Sequence, residues 1–234
     1  MKTLVVLAQK GGAGKTTLAL HWAVEAEAKA RRRVVLVDVD PQGSAAAWFK
    51  RRKAETPTLV QTSGTNFREV IKACRADNVD WVIVDTAPHA EAMAAEAARA
   101  ADVVIIPSRP SILDLEAIGA TVDIVRAVRR PAAIVLNACP ARSPVIEQAR
   151  TALEAYELAL CPTPVMQRVA LAYALIDGRA VTEFEPDGKA AEEIRDSWKW
   201  IARVCENGKQ MLSCYDDSKV ARTGSNDKWQ KHQA

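Results

Sequence analysis

Apolar runs rich in Val, Ile and Leu recur at Leu4 to Ala8, Val34 to Val37, Trp81 to Val84, Val103 to Ile106 and Ala133 to Leu136. They are continuous rather than alternating, the pattern of parallel strands covered on both faces. Between them lie Ala-rich stretches with helical spacing: Thr16 to Ala30, Ser44 to Lys53, Phe67 to Ala76, Glu91 to Ala101, Leu113 to Val128 and Val145 to Tyr156. Strand and helix alternate, which predicts an α/β domain of three layers, a mostly parallel sheet with helices on both faces. A further strand is expected at Leu158 to Cys161, with short helices at Leu171 to Ile176 and Lys189 to Val204. The last of these puts Ile194, Trp198, Ile201 and Val204 on one stripe, so it is read as a helix docked on the sheet, its aromatics serving packing. Beyond Glu206 periodicity collapses into Asn207-Gly208-Lys209, Asp216-Asp217-Ser218 and Gly224-Ser225-Asn226. The expected organisation is therefore one domain over residues 1–205 and a polar, flexible tail over 206–234.

Composition narrows the class. The 234 residues are 49% hydrophobic and 26% charged, enough to close a core without staples. Apolar stretches fall short of the roughly 18 residues that cross a bilayer, and Met1-Lys2-Thr3-Leu4 leads directly into a strand, so a cytoplasmic address is expected. Five cysteines (Cys74, Cys139, Cys161, Cys205, Cys214) are odd in number and lack any C-x-x-C, which points to reduced structural thiols rather than a disulfide framework or a metal site. A net charge of +3 is too small to mark a nucleic-acid binder in bulk.

The chemistry begins after the first strand, at Gln9-Lys10-Gly11-Gly12-Ala13-Gly14-Lys15-Thr16-Thr17, followed by a helix. Small residues there let successive backbone N–H groups and the helix N-terminus face a polyphosphate. Lys15 can neutralise β and γ oxygens, and the Thr16 hydroxyl can ligate Mg2+. The strict G-x-x-x-x-G-K-[ST] pattern fails, because Gln9 stands where its first glycine would be, and a second lysine, Lys10, opens the loop. The second strand ends in Val37-Asp38-Val39-Asp40-Pro41-Gln42-Gly43, two acids at the carboxyl edge where open α/β sheets bind ligands. Strand alternation would aim Asp38 and Asp40 the same way. One could hold a metal's water shell and the other orient an attacking water; alternatively, the pair could cap the next helix. Trp81-Val82-Ile83-Val84-Asp85 has the Walker B form, an acid on an apolar strand able to hold a magnesium-bound water.

The Lys-Gly-Gly-x-Gly-Lys-Thr-Thr arrangement resembles the deviant Walker A loop of the ParA and MinD superfamily of P-loop NTPases. Asp-Pro-Gln-Gly-Ser and the stretch Val104 to Asp114 are also ParA-like, as are Met166 to Ala170, Asp177-Gly178-Arg179 and Glu183-Phe184. The resemblance covers about residues 1–205 and is to short partition ATPases without an N-terminal helix-turn-helix. It implies ATP and Mg2+ as cofactors, a homodimer with ATP between the subunits, and slow, partner-stimulated hydrolysis. By it Lys10 reaches the partner's phosphates, Asp40 positions water, Asp38 supports the metal with Thr16 and Asp85, and Asn137 reads adenine. Gly11, Gly12, Ala13, Gly14, Lys15, Thr16 and Thr17 bind the phosphates.

The family's ATP-bound dimers bind DNA without sequence preference. Candidate basic clusters are Lys29 with Arg31, Arg32 and Arg33; Lys50 with Arg51, Arg52 and Lys53; and Arg126 with Arg129 and Arg130. Arg142, Arg168 and Arg179 lie in the region the family uses more often. The implied partner is a ParB-like centromere binder or a cargo adaptor, the cargo being a plasmid, chromosome region, carboxysome or chemoreceptor cluster. A membrane-cycling, MinD-like role is disfavoured, since Met211, Leu212 and Tyr215 make no basic amphipathic face. Iron–sulfur relatives need paired cysteines that this spacing does not present. A scaffold without turnover is the reading from another class, and Asp40 argues against it.

Overall fold

The computed structural model describes residues 1–28, 32–63, 66–88, 90–141 and 143–207. Seven strands form one sheet: β1 (Lys2–Val6), β2 (Val34–Asp38), β3 (Thr58–Gln61), β4 (Trp81–Asp85), β5 (Val103–Ser108), β6 (Ala132–Leu136) and β7 (Ala159–Leu160). Their order is β3-β2-β4-β1-β5-β6-β7, and every pairing is parallel. The expected strands are all present. β3 is the addition, a half-exposed edge strand whose Thr58-Leu59-Val60-Gln61 is too short and too polar at its ends to stand out as an apolar run.

The strands alternate their side chains between two cores. Leu4 and Val6 of β1, Trp81 and Ile83 of β4, and Val103 and Ile105 of β5 face one core. Val5, Val82, Val84, Val104 and Ile106 face the other. The first is covered by α1 (Lys15–Ala28), α2 (Ser44–Arg51), α7 (Val169–Ile176), α8 (Val181–Phe184) and α9 (Lys189–Glu206). The second is covered by α3 (Phe67–Ala76), α4 (Glu91–Ala100), α5 (Ile112–Ala127) and α6 (Val145–Leu153). Burial on both faces is why the strands read as unbroken apolar runs.

Helix α9 docks as its stripe predicts. Ile194, Trp198, Ile201 and Val204 are buried, and Trp198 meets Trp81 edge to face at 4.8 Å. Trp22 Nε1 of α1 donates to Ser197 Oγ at 3.0 Å, giving the buried indole its polar partner. Cys74, Cys139, Cys161 and Cys205 are buried free thiols, with burial pushing Cys139 and Cys161 up to about 11. Cys214 and the expected tail from residue 208 onward lie outside the described residues, as do Lys29, Arg31 and Arg142.

With β1 at the centre and β4 and β5 on either side, the carboxyl ends of β1, β2, β4, β5 and β6 converge on one edge. The register Val6↔Asp85 and Asp38↔Asp85 places the two acids opposite one another on adjacent strands.

Candidate functional site

The loop leaving β1 enters α1 through two left-handed glycines, Gly12 at φ +77° and Gly14 at φ +93°. A side chain at Gly14 would stand 2.0 Å from Asn137 Nδ2, so only glycine fits there. Asn137, just beyond β6, is buried and donates from Nδ2 to the Ala13 carbonyl at 2.8 Å. The residue expected to read adenine thus also pins the loop, while still lining the adjoining cavity. At the other end of the loop the Gln9 amide donates to Thr121 Oγ1 at 3.1 Å.

A cavity of about 590 Å³ opens over this loop. Gly11, Gly12, Gly14, Lys15, Thr16 and Thr17 line its floor, Asp40 and Pro88 one side, and Arg109 and Asn137 another. Met166, Leu171, Ala172 and Leu175 contribute an apolar wall suited to a flat base. Ala13 points inward and is buried. A larger cavity of about 830 Å³ at the amino end of β2 and β3, around Val60, Val70 and Cys74, contains none of these groups.

Lys15 is 6% exposed, and its Nζ donates to the Lys10 carbonyl at 3.3 Å. Burial lowers its pKa, while Asp85 and Asp40 pull it back up. Asp85 is fully buried, and neither carboxylate oxygen has a hydrogen-bond partner among the described residues. Burial pushes it up to about 7; the nearby Thr16 hydroxyl and Lys15 oppose that rise, and Asp38 and Asp40 add to it. A buried carboxylate without a donor is costly and calls for a cation. With the Thr16 hydroxyl beside it, the donor set is all oxygen, the kind that holds hydrated magnesium. The residues therefore fit the metal that the loop implies.

Asp38 is the last residue of β2, Asp40 follows in the turn, and the two have different surroundings. β2 ends at Asp38, so the two-residue period stops there, and the chain turns. Asp38 is buried and accepts from the Asp40 amide at 3.1 Å and the Ala46 amide at 3.1 Å, tying the first turn of α2 to the end of β2. Burial raises its pKa against those backbone donors. Asp40 instead faces the cavity, with Oδ1 accepting from the Gln42 amide at 2.9 Å. Thr86 Oγ1 donates to the Val6 carbonyl at 2.8 Å and locks the end of β4 to β1.

Lys10 does not line the cavity. Its ammonium sits 3.1 Å from Asp114 Oδ1 on α5, and Asp114 also accepts from the Ser111 hydroxyl. The sequence carried no signal for this grip, because the two residues are distant in the chain. Arg109 was likewise unmarked, although its place between Pro107 and Pro110 at the end of β5 puts it on the ligand-binding edge.

The arginines expected at DNA are engaged within the chain. Arg168 forks onto Glu193 at 2.6 and 3.0 Å and lines the nucleotide-sized cavity. Arg179 pairs with Asp177 at 2.7 Å and lies over the Phe184 ring at 4.7 Å. Within the second basic cluster, Arg52 is nearly buried by a two-pronged pair with Glu183. Lys50, Arg51 and Lys53 remain exposed. Arg33 donates to the Asp77 carbonyl, and Arg126 to that of Tyr156.

Residues 4–181 match the family described as the CobQ/CobB/MinD/ParA nucleotide binding domain. The chain is 32% identical over 203 residues to the maintenance of carboxysome distribution protein A of Halothiobacillus neapolitanus, covering 82% of this chain and 92% of that one. It is 24% identical over 252 residues to the sporulation initiation inhibitor protein Soj of Bacillus subtilis, covering 86% and 98%. The structure of the septum site-determining protein MinD of Pyrococcus horikoshii, complexed with Mg-ADP, superposes with a TM-score of 0.69 at 15% identity, covering 86% of this chain and 95% of that one.

Proposed function

The chain belongs to the CobQ/CobB/MinD/ParA nucleotide-binding family, and from that premise we propose that it is a positioning ATPase, converting ATP and water to ADP and phosphate. In this reading ATP joins two copies, the dimer holds DNA without regard to sequence, and an adaptor or ParB-like partner stimulates hydrolysis and links the cycle to a cargo. The observation that carries it is the donorless, buried carboxylate of Asp85 beside Lys15 and Thr16, beneath a loop shaped by Gly12 and Gly14.

Magnesium, held by Thr16 and by Asp85 through water, would neutralise charge developing on the terminal phosphates. Lys15 and the loop amides bind those phosphates. Asp40, facing the cavity, orients the attacking water, while Asp38 keeps the turn after β2 in place through its backbone bonds. Asn137 holds the loop and offers its amide to the base. Lys10 supplies its charge to the partner subunit's nucleotide, which requires it to leave Asp114.

For the cargo, two readings have support. Identity of 32% to a carboxysome distribution protein, spread over nearly its whole length, favours a protein body. The likeness to Soj supports a chromosome or plasmid. In this reading the protein works in the cytoplasm, on the nucleoid when bound to ATP.

The test is anisotropy with plasmid-derived and random duplexes, in ADP and in a non-hydrolysed ATP analogue, across salt concentrations. Binding should need the ATP form and ignore sequence. A dimer covering four phosphates should show a log–log salt slope of about −3.6, and a monomer about half that. Equal binding with ADP and the ATP analogue would overturn the switch. If no DNA binds, pelleting with liposomes decides for a membrane surface or a pure scaffold.

A further inference from the structure

Three cations line the cavity over the glycine loop, and only one of them is exposed. Lys15 is buried under the influence of Asp85 and Asp40. Arg168 is forked onto Glu193. Arg109 is exposed, its Nη2 lies 3.7 Å from where a Cβ on Gly12 would stand, and no carboxylate among the described residues pairs with it.

Its stem is fixed although its head is free. Ser108 closes β5, its Oγ donates to the Arg109 carbonyl at 3.0 Å, and the Asn137 amide donates to the Ser108 carbonyl at 2.8 Å. Pro110, on the other side, is buried. Such a stem delivers a long side chain repeatedly to one place, over the loop. Lys10, the other cation of the loop, is meanwhile held by Asp114 outside the cavity.

We infer that Arg109 is a phosphate-binding residue acting within its own subunit, its guanidinium closing over Gly12 onto the polyphosphate of the bound nucleotide. The inference rests on the nucleotide reading above. A guanidinium is always charged and presents a planar fork of donors that matches phosphate oxygens. Since no acid has to be released first, its full charge is available to the ligand. It would balance the three acids around the site before a second subunit arrives with Lys10.

The experiment uses the full chain with magnesium and a fluorescent ATP analogue, at concentrations where sedimentation shows a monomer. Arg109→Ala should weaken binding about tenfold, the low end for a charge-assisted contact because the guanidinium is exposed. Arg109→Lys should fall between, and both should flatten the salt dependence. The unliganded variants should melt with the wild type. On the unmodified protein, phenylglyoxal followed by peptide mass spectrometry should label Arg109, and Mg-ATP should protect it. Exposed Arg75 on α3, remote from the cavity, should label equally in both conditions. Wild-type affinity in Arg109→Ala, absence of protection in protein that binds ATP, or a loss seen only where dimers form would overturn the inference. If the wild type binds no nucleotide, or Lys15→Ala binds as well as it does, the nucleotide reading itself has failed.

Discussion

Gly14 and Asn137 form a couple whose energetics can be worked from the structure. Replacing Gly14 by alanine adds a Cβ in a backbone conformation at φ +93°, which costs an L-residue at least ~1–2 kcal/mol. The new atom would lie 2.0 Å from Asn137 Nδ2, and its three nearest neighbours all belong to that side chain. Asn137 must therefore move, which breaks its buried bond to the Ala13 carbonyl at a cost of about 1–3 kcal/mol. Gly14→Ala should lose about 2–5 kcal/mol, a large share of an ordinary domain's 5–15 kcal/mol. Asn137→Ala should lose only the bond, about 1–3 kcal/mol. In the double variant the obstruction is gone and the bond is lost once, so it should be about as stable as Gly14→Ala alone. Urea unfolding followed by circular dichroism, with comparable m-values, measures all three differences. If the two single losses simply add in the double variant, Asn137 is not what excludes a side chain at position 14.

The remaining expectations concern the site and the core. Lys15→Ala should abolish ATP binding, since the deep end of the cavity then loses its cation; fluorescent ATP titration checks this, and wild-type affinity would remove Lys15 from the site. Lys10→Ala should bind ATP but lose roughly 10³ to 10⁵ in phosphate release, the value of a charge supplied in trans, whereas Asp40→Ala should bind ATP and accumulate as a dimer on size exclusion. Wild-type turnover in either variant would refute its role. His21 is fully buried, accepts from the Val181 amide at 3.1 Å, and is held down to about 4 chiefly by burial. The unfolded chain protonates it below about pH 6.5 while the folded one keeps it neutral, so its share of stability is full above pH 6.5. That share is lost between 6.5 and 4, by up to about 3 kcal/mol. His21→Asn, which keeps an acceptor for Val181, should flatten stability over that window, and equal slopes in the two proteins would show that His21 does not titrate on unfolding.

How much was legible differs between the local and the distant. The continuous apolar runs announced β1, β2, β4, β5 and β6 because burial on both faces leaves no polar positions to interrupt them. The phosphate loop was readable because glycine conformations, the lysine and the threonine lie within nine consecutive residues. Asp85 was readable from its place at the end of an apolar strand. β3 was missed because an edge strand is half-solvated and need not be apolar.

What the chain by itself determined is therefore the strand–helix alternation, the loop that meets the phosphates and the acids near it, since each depends on neighbours in sequence. Only the tertiary structure decided what those acids touch and which cations stay available. Asp38 is buried and accepts from the Ala46 amide of α2, whereas Asp40 lines the cavity. Lys10 was captured by Asp114, Arg168 by Glu193 and Arg52 by Glu183, all partners supplied by other elements of the fold. A charge run along the chain states how many cations exist. Whether each is free depends on acids brought near by crossover connections, because the ion pair forms over a few ångströms of space and is indifferent to separation in sequence.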